Sequence, residues 1–378
     1  VVVCAIAASP LFFAFGAPDA AAAQRSVSAT GATIGLAVTD LRYALYESAD
    51  GKEECPAGMQ FSSLEQFKAM PDPAGYVLRY GNSFSFLGPK GENADYDPLA
   101  VTDRLPWKEL QTRKGLGINL DGTADGQATD KTCRHEKFTN AEGRPVDNQV
   151  ARAMGCIEGF RTGGFSTEFY SNEVATSPIN RHLIEITGVD SETNDPQVEV
   201  TIYKGRDSVI RRADRNAFVP FMTQRVDDLF PQFVLKTHGR IVDGVLTTDP
   251  IPLARLPILH VQVVNERRIR DMRLQLKIGP ESATGYLGGY EQIGSMWDYL
   301  SKSPASATSK YSPAGLYRAL QRYADGFPDP ATKQCTAISV AYKVNAVRAL
   351  IVHDRAAGSR VASSAMDAPG LPTKGAKN

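Results

Sequence analysis

From His182 onward, apolar and polar residues alternate with a period of two over most of the chain, which restricts those segments to strands buried on one face. HLIEITGV is followed by QVEVTIYKG, with Val198, Val200 and Ile202 on one side, and then by FVLKTHGRIVDGVLTT, HVQVV and DMRLQLKIG. Asp243-Gly244 stands between Arg240-Ile241-Val242 and Val245-Leu246, and this pair tolerates the positive φ angles of a type I′ turn, so a hairpin is expected there. Near the end, Ile338, Val340, Tyr342 and Val344 alternate with Ser339, Ala341, Lys343 and Asn345, a last strand that starts at Cys335 and can rejoin the main sheet. TIGLAVTDLRYALYE, from Thr33, alternates in the same way. Short strands at this spacing predict a mainly β (α+β) chain: an antiparallel β-sandwich-like body, a few short packing helices and a disulfide-stapled loop region.

Helices are announced by their ends. Ser62 and Glu65 have capping-box spacing ahead of Leu64 and Phe67, and Pro71 and Pro73 stop that turn. EQIGSMWDYLSK puts Ile293, Met296, Trp297 and Leu300 on one face. Ser312-Pro313 opens another helix whose inner face is Leu316, Leu320 and Tyr323, and Asp325-Gly326 follows it as a stop. VDNQVARAMGC reads as a short helix with Asp147 as N-cap, Val146, Val150, Met154 and Ile157 at helical spacing, and Gly155 as terminator. Residues 74–118 are irregular apart from a strand-like GYVLRYGNSFSF.

The ends divide the chain further. VVVCAIAASPLFFAFG is too short to span a bilayer comfortably and leads into APDAAAAQR, so residues 1–23 read as a secretory leader with the mature chain starting near Gln24. Val3 before Cys4 does not suit lipid attachment. Residues 24–174 form a loop-rich N-terminal region, residues 175–354 a β-rich body, and residues 355–378 a tail too poor in apolar side chains to order itself. No segment after the leader is apolar enough to cross a membrane as a helix, since the best stretch, residues 251–264, is interrupted by Arg255, Pro257 and His260. Lys plus Arg and Asp plus Glu each total 42, so the global charge favours neither nucleic acid nor an anionic membrane surface.

Export makes the remaining cysteines, Cys55, Cys133, Cys156 and Cys335, readable as two disulfides, for which three pairings exist. Proximity in sequence favours Cys133–Cys156, which leaves Cys55–Cys335. No two cysteines stand at C-x-x-C spacing, so a zinc ribbon is not indicated.

The stretch richest in oxygen donors is residues 115–161. Asp121, Thr123 and Asp125-Gly126 reproduce the opening of a calcium loop, in which alternate side chains converge on a hard cation. Thr132 stands where an EF-hand carries its bidentate glutamate, so an EF-hand is excluded. A structural Ca²⁺ site would need the Gln127 carbonyl and Asp130 or Glu136 to complete it; the plainer reading of DGTADG is two ordinary turns. Asp147, Asn148 and Gln149 crowd a helix start, which would suit an anion or a sugar, or simply a well-capped helix. His135 and Asp147 are the candidates for catalysis, although most lone histidines are neither bases nor ligands. The chain lacks G-x-S-x-G, H-E-x-x-H, a Walker loop, G-x-G-x-x-G and C-x-x-C-H.

LDGTADG, CRHEKF, VDNQ with Gly155-Cys156, GRIVDGVL, GYLGGY at residues 285–290 and CTAIS together resemble a set of exported bacterial proteins of uncharacterised function. The resemblance covers most of the chain beyond residue 23. It implies export and a shared architecture, and it brings no catalytic residues with it. The resulting expectation is a non-enzymatic binding module of the periplasm or cell surface, with a glycan or an envelope protein as partner. A secreted hydrolase would instead show a pocket joining His135 or Asp147 to a carboxylate distant in sequence. A structural component of the envelope would show a large apolar surface patch.

Overall fold

The computed structural model describes residues 31–80, 87–88, 90–214 and 217–353; the expected leader and tail lie outside the described residues. Nine principal strands are β1 (Ala32–Tyr43), β2 (His182–Val189), β3 (Asp195–Lys204), β4 (Leu235–Val242), β5 (Val245–Thr248), β6 (Ile251–His260), β7 (Val263–Ile278), β8 (Ser282–Gln292) and β9 (Cys335–Val352). All but β6 join in the order β1-β2-β3-β4-β5-β7-β8-β9, and β9 returns to β1, so an antiparallel sheet of eight strands closes into a barrel. This corrects the expected sandwich. A sandwich keeps free edges, whereas here β1 pairs with β2 from Ala32↔Val189 to Ala37↔Leu183 and with β9 from Leu36↔Arg348 to Tyr43↔Tyr342.

Alternation along the strands decides what the barrel contains. Val38, Ile184, Ile202, Leu256, Leu274, Leu287 and Val344 meet around an enclosed void of only about 20 Å³, so side chains fill the interior. Outward positions such as Glu199, Lys236, Arg240 and Lys277 are exposed and charged, the opposite of a lipid-facing barrel. Among the described residues no helix is long and apolar enough to cross a membrane. One end of the interior is polar. Buried Glu291 accepts from Tyr299 Oη at 3.1 Å and from Tyr342 Oη, and the buried Arg267 guanidinium lies 4.4 Å from the centre of the Tyr342 ring.

Two strand expectations change. HVQVV is broken by a two-residue hairpin turn in which Val261 and Gln262 take φ 45° and 72°. The Glu173 carboxylate holds both residues there, accepting the Val261 amide at 3.0 Å and the Gln262 amide at 3.2 Å. The strand before that turn, β6, contains Pro252 and Pro257, which obscure it in the sequence. Its ladder runs to β7 alone, from His260↔Val263 to Ile251↔Met272, so its prolines interrupt no second ladder. Asp243 and Gly244, at φ 51° and 72°, make the expected type I′ hairpin.

The helices are α1 (Ser63–Lys68), α2 (Pro73–Tyr80), α3 (Gln149–Met154), α4 (Phe165–Thr176), α5 (Ile293–Lys302), α6 (Ala305–Thr308) and α7 (Pro313–Arg322). Ser62 and Glu65 form the expected capping box, and Ser312 Oγ accepts the Gly315 amide at 3.2 Å. α2 replaces the first part of the strand expected over residues 75–86, because Asp72 Oδ1 accepts the Gly75 amide at 2.8 Å and Pro73 starts the helix; residues 81–86 lie outside the described residues. One apolar cluster runs from Ile34 through Cys55, Phe138 and Met154 to Ala346, so the boundary expected at residue 174 does not separate two cores.

The disulfides are Cys55–Cys156 and Cys133–Cys335, with Cα separations of 5.8 and 6.2 Å, rather than the expected Cys133–Cys156 and Cys55–Cys335. Backbone pairing explains the exchange. Cys133 N donates to Asp325 O at 2.9 Å just before β9, while Gln60 N donates to Cys156 O at 2.8 Å and so brings Cys156 to the loop that carries Cys55. Peptide mapping under non-reducing conditions should recover these two pairs, and a Cys133–Cys156 peptide would contradict the fold around residues 115–156. Loops of 101 and 202 residues are closed, worth roughly 5 kcal/mol each by chain entropy alone and less after any strain, so reduction should lower the melting temperature strongly.

A second expectation concerns acid. Burial and the nearby Arg267, Arg181 and Lys204 charges push inward-facing His182 down to about 3. The unfolded chain binds this proton near pH 6.5 and the folded one does not, so the contribution of His182 to stability is lost as pH falls below 6.5. The stability difference between the parent and His182→Leu should therefore shift against the parent by about 1.4 kcal/mol per pH unit between roughly pH 6.5 and pH 4. Urea unfolding at several pH values measures this, and a difference independent of pH would refute it.

Candidate functional site

A strap, residues 115–156, crosses the outer face of β8 and β9. It is held there by close approach and by bonds to strand backbone. A Cβ on Gly288 would sit 3.3 Å from Ile118 and from Leu120, which shows how tightly the strap lies on β8. Asn148 Nδ2 donates to Ala44 O at 2.8 Å and Leu116 O at 3.0 Å, and its Oδ1 accepts the Ala341 amide at 3.1 Å. Gln149 N donates to Ser339 Oγ at 2.8 Å.

Under the strap lies a buried cluster of charged side chains centred on Asp147. Asp147 Oδ2 accepts the Leu120 amide at 2.7 Å, and Oδ1 accepts from His135 Nε2 at 2.8 Å and Lys137 Nζ at 2.6 Å. Lys137 also donates to Asn119 Oδ1 at 3.0 Å and to Asp121 Oδ1. His135 Nδ1 donates to Cys133 O at 2.9 Å, and its Nε2 lies 3.7 Å from Asp121 Oδ2 and 3.9 Å from Asp325 Oδ2. Asp325, just ahead of β9, accepts the Ser339 amide through Oδ1 at 2.6 Å, while its Oδ2 has no hydrogen-bond partner among the described residues. The Tyr290 hydroxyl, on the outer face of β8, is also buried and unpartnered.

Environment separates the charge states of these groups. Burial opposes the His135 charge, but the Asp147 hydrogen bond, the Asp325 charge and the Cys133 carbonyl outweigh it and push the imidazole up to about 9. It is an imidazolium at neutral pH. Burial pushes the Asp147 carboxyl up, and its bonds to His135 and Lys137 nevertheless hold it below the usual range. Asp325 has weaker support, and burial lifts it to about 7 despite the His135 charge and the Ser339 bond. The Tyr290 phenol is raised by burial and by the Asp147, Asp325 and Asp121 charges.

Several expectations change here. Asp147 does not cap α3: Asn148 is the N-cap, and the Asp147 carboxylate turns instead to Leu120, His135 and Lys137. The first amide of α3 is taken by Ser339 and so is not open to an anion or sugar. The calcium set is not brought together. Asp121 turns inward to Lys137 and accepts from Thr123 N and Oγ1 at 2.8 and 3.0 Å, as an Asx turn does. Asp125 accepts only the Gln127 amide, at 3.3 Å, and Asp125, Gln127 and Asp130 are exposed. Glu136 faces away and pairs with Arg113 at 2.7 Å and Arg152 at 3.1 Å.

Above His135 a polar cleft of about 340 Å³ opens to solvent, lined by residues that include Glu109, Gln111, Arg134, Gln149, Arg152 and Arg322. Arg322 Nη1 and Tyr323 Oη both bond the Glu109 carboxylate, whereas Arg134 is exposed and makes no ion pair among the described residues. Glu136 lines the cleft as well, so three guanidinium groups face two carboxylates, and since Arg322 pairs with Glu109 and Arg152 with Glu136 the excess positive charge lies on Arg134.

The sequence reading missed Lys137, Asp325 and Tyr290. A signal for the first was present: Cys133, His135 and Lys137 alternate with Arg134 and Glu136, and the first set turns inward while the second is exposed. Asp325 looked like a helix stop beside Gly326, and nothing local marks Tyr290. No family model matches the chain, and neither a curated protein nor a solved structure matches it.

Because Asp147 compensates two buried cations, Asp147→Ala should cost about 3–5 kcal/mol in unfolding free energy. Asp125→Ala, in an exposed turn, should stay within about 0.5 kcal/mol. Denaturant titrations of the two variants compare them, and equal losses would show that the cluster is not what holds the strap.

Proposed function

We propose that the protein is an exported, non-enzymatic binding protein that takes an acidic glycan of the cell envelope in the cleft above His135. The observation that carries this reading is the cleft itself: Arg134, with no ion pair among the described residues, stands with Arg322 and Arg152, which pair with Glu109 and Glu136, beside the polar groups of Gln111, Gln149 and Tyr323. Guanidinium groups pair well with carboxylates and sulfates, and the amide and phenol groups suit sugar hydroxyls. The Cys133–Cys335 disulfide joins the segment carrying Arg134 to the start of β9, so this wall is pre-positioned for its ligand. Two disulfides and the lack of a membrane-crossing helix among the described residues are compatible with a secreted or periplasmic location. Kinship with the exported bacterial proteins it resembles in sequence belongs to the same proposal.

The hydrolase reading fits less well: the cleft that His135 lines does not include Asp325, which is buried behind it. Both imidazole nitrogens already donate, to Cys133 O and to Asp147, so no lone pair is free to take a proton from water.

Affinity electrophoresis in gels containing polygalacturonate, with dextran as the neutral control, tests the binding proposal. Retardation should occur with polygalacturonate only, weaken with added salt, and fall about 10-fold or more in the Arg134→Ala/Arg322→Ala double variant. Equal retardation by dextran, or a double variant that behaves as the parent, would remove the support.

A further inference from the structure

We propose that Asp121, His135, Asp147 and Asp325 form a closed structural site for one first-row divalent transition ion, Zn²⁺ or Mn²⁺. Asp121, His135 and Asp147 each offer a donor atom within 4.8 Å of the others, and His135 Nε2 lies 2.8 Å from Asp147 Oδ1, 3.7 Å from Asp121 Oδ2 and 3.9 Å from Asp325 Oδ2. Ligands at about 2.0–2.2 Å from one ion stand roughly 3–3.5 Å apart, so an ion would draw the trio of Asp121, His135 and Asp147 together, and Asp325, which lies outside that trio, would move the most. The Nε2 proton now occupies the direction in which the ion would bind.

Two further observations point to a ligand. The Asp325 Oδ2 atom has no hydrogen-bond partner although the residue is 1% exposed, and it is aimed at His135. A buried carboxylate oxygen left unpaired is expensive, and coordination would satisfy it. The Tyr290 hydroxyl, at a residue 2% exposed on the same outer face, also has no hydrogen-bond partner among the described residues. His135 is also oriented as ligating histidines are: Nδ1 donates to the Cys133 carbonyl at 2.9 Å, which leaves Nε2 facing the carboxylates.

Charge and chemistry select the ion. Three carboxylates against the Lys137 ammonium leave two negative charges, which a dication cancels among side chains that are almost fully buried. Lys137 bonds Asp121 through Oδ1, and Asp121 Oδ2, which accepts from Thr123 Oγ1 at 3.1 Å, faces His135; Lys137 also bonds Asp147 Oδ1 at 2.6 Å and would share that oxygen with the ion. An imidazole with carboxylates suits Zn²⁺ or Mn²⁺, whereas Ca²⁺ and Mg²⁺ prefer oxygen alone. The ligand side chains are at most 5% exposed, which is the closed form of a structural site. The ion would tie residues 121–147 of the strap to the segment entering β9.

The test uses the full chain stripped of metal by chelation and dialysis. Scanning calorimetry with Zn²⁺, Mn²⁺, Ca²⁺ or Mg²⁺ should show a rise of several degrees in melting temperature for Zn²⁺ or Mn²⁺ only, and elemental analysis after gel filtration should give one ion per chain. Asp325→Asn keeps the shape of the side chain and should weaken binding about 10-fold or more, and His135→Gln should abolish the shift. Zn²⁺ and Mn²⁺ both leaving the parent unchanged, or a shift that persists in both variants, would overturn the proposal. A larger shift with Ca²⁺ would likewise overturn it in favour of an all-oxygen site. These readouts do not depend on glycan retardation, so the two proposals fail separately.

Discussion

The ladder between β1 and β9 is the contact on which the rest of the molecule depends. It joins the two ends of the described chain, as in the bond from Thr39 Oγ1 to Asn345 O at 3.1 Å, 306 residues apart in sequence. Without it the sheet would have two exposed edges and an interior open to water. With it, the side chains along the inner faces of eight strands meet and leave almost no void. Closure also gives the strap its support, because Ser339 and Ala341, which anchor Gln149 and Asn148, belong to the same strand β9 that β1 completes.

Burying apolar positions of alternating strands accounts for the barrel but not for two buried polar clusters. Inside one end, Arg267 and Glu291 are surrounded by Tyr43, Tyr170, Tyr299 and Tyr342, whose rings and hydroxyls take the place of solvent. Outside, the Asp147 cluster fills the gap between strap and sheet. An apolar filling of similar volume is often at least as stabilising as a buried ion pair, so stability alone does not explain such groups. Directional bonds do fix register: Asp147 sets the strap through Leu120, His135 and Lys137, and Glu173 sets the β6–β7 turn through two adjacent amides.

How much of this was legible in the sequence follows from the range of each determinant. β2, β3, β4 and the later part of β7 were readable because alternation is local, and α1, α5 and α7 because caps and helical faces are local too. β6 was hidden by prolines that its one-sided pairing tolerates, and α2 by aromatic and β-branched residues that a single cap at Asp72 outweighs. Closure was not legible, since an alternating pattern fits a sandwich and a barrel equally well. The disulfides were misread for a related reason: distance along the chain stood in for distance in space, and the Cys133–Asp325 pairing reverses that order. His135 and Asp147 were recognised as candidates, but Asp325 enters 190 residues after His135 and only the barrel brings them together.

The two polar clusters differ in one respect that decides where function should be sought. The Arg267 cluster is sealed by the barrel wall and by α4 and α5, with Tyr170 and Tyr299 closing over it, so its charge can act only on the fold. The Asp147 cluster reaches the surface through His135, which both donates to Asp147 and lines the polar cleft. A ligand in that cleft would meet the field of a positively charged group fixed from behind by the Asp147 carboxylate, in surroundings of lower dielectric than water. The cluster therefore links strap position to cleft electrostatics: a change in the charge behind His135 alters the potential in the cleft without moving the arginines at its rim.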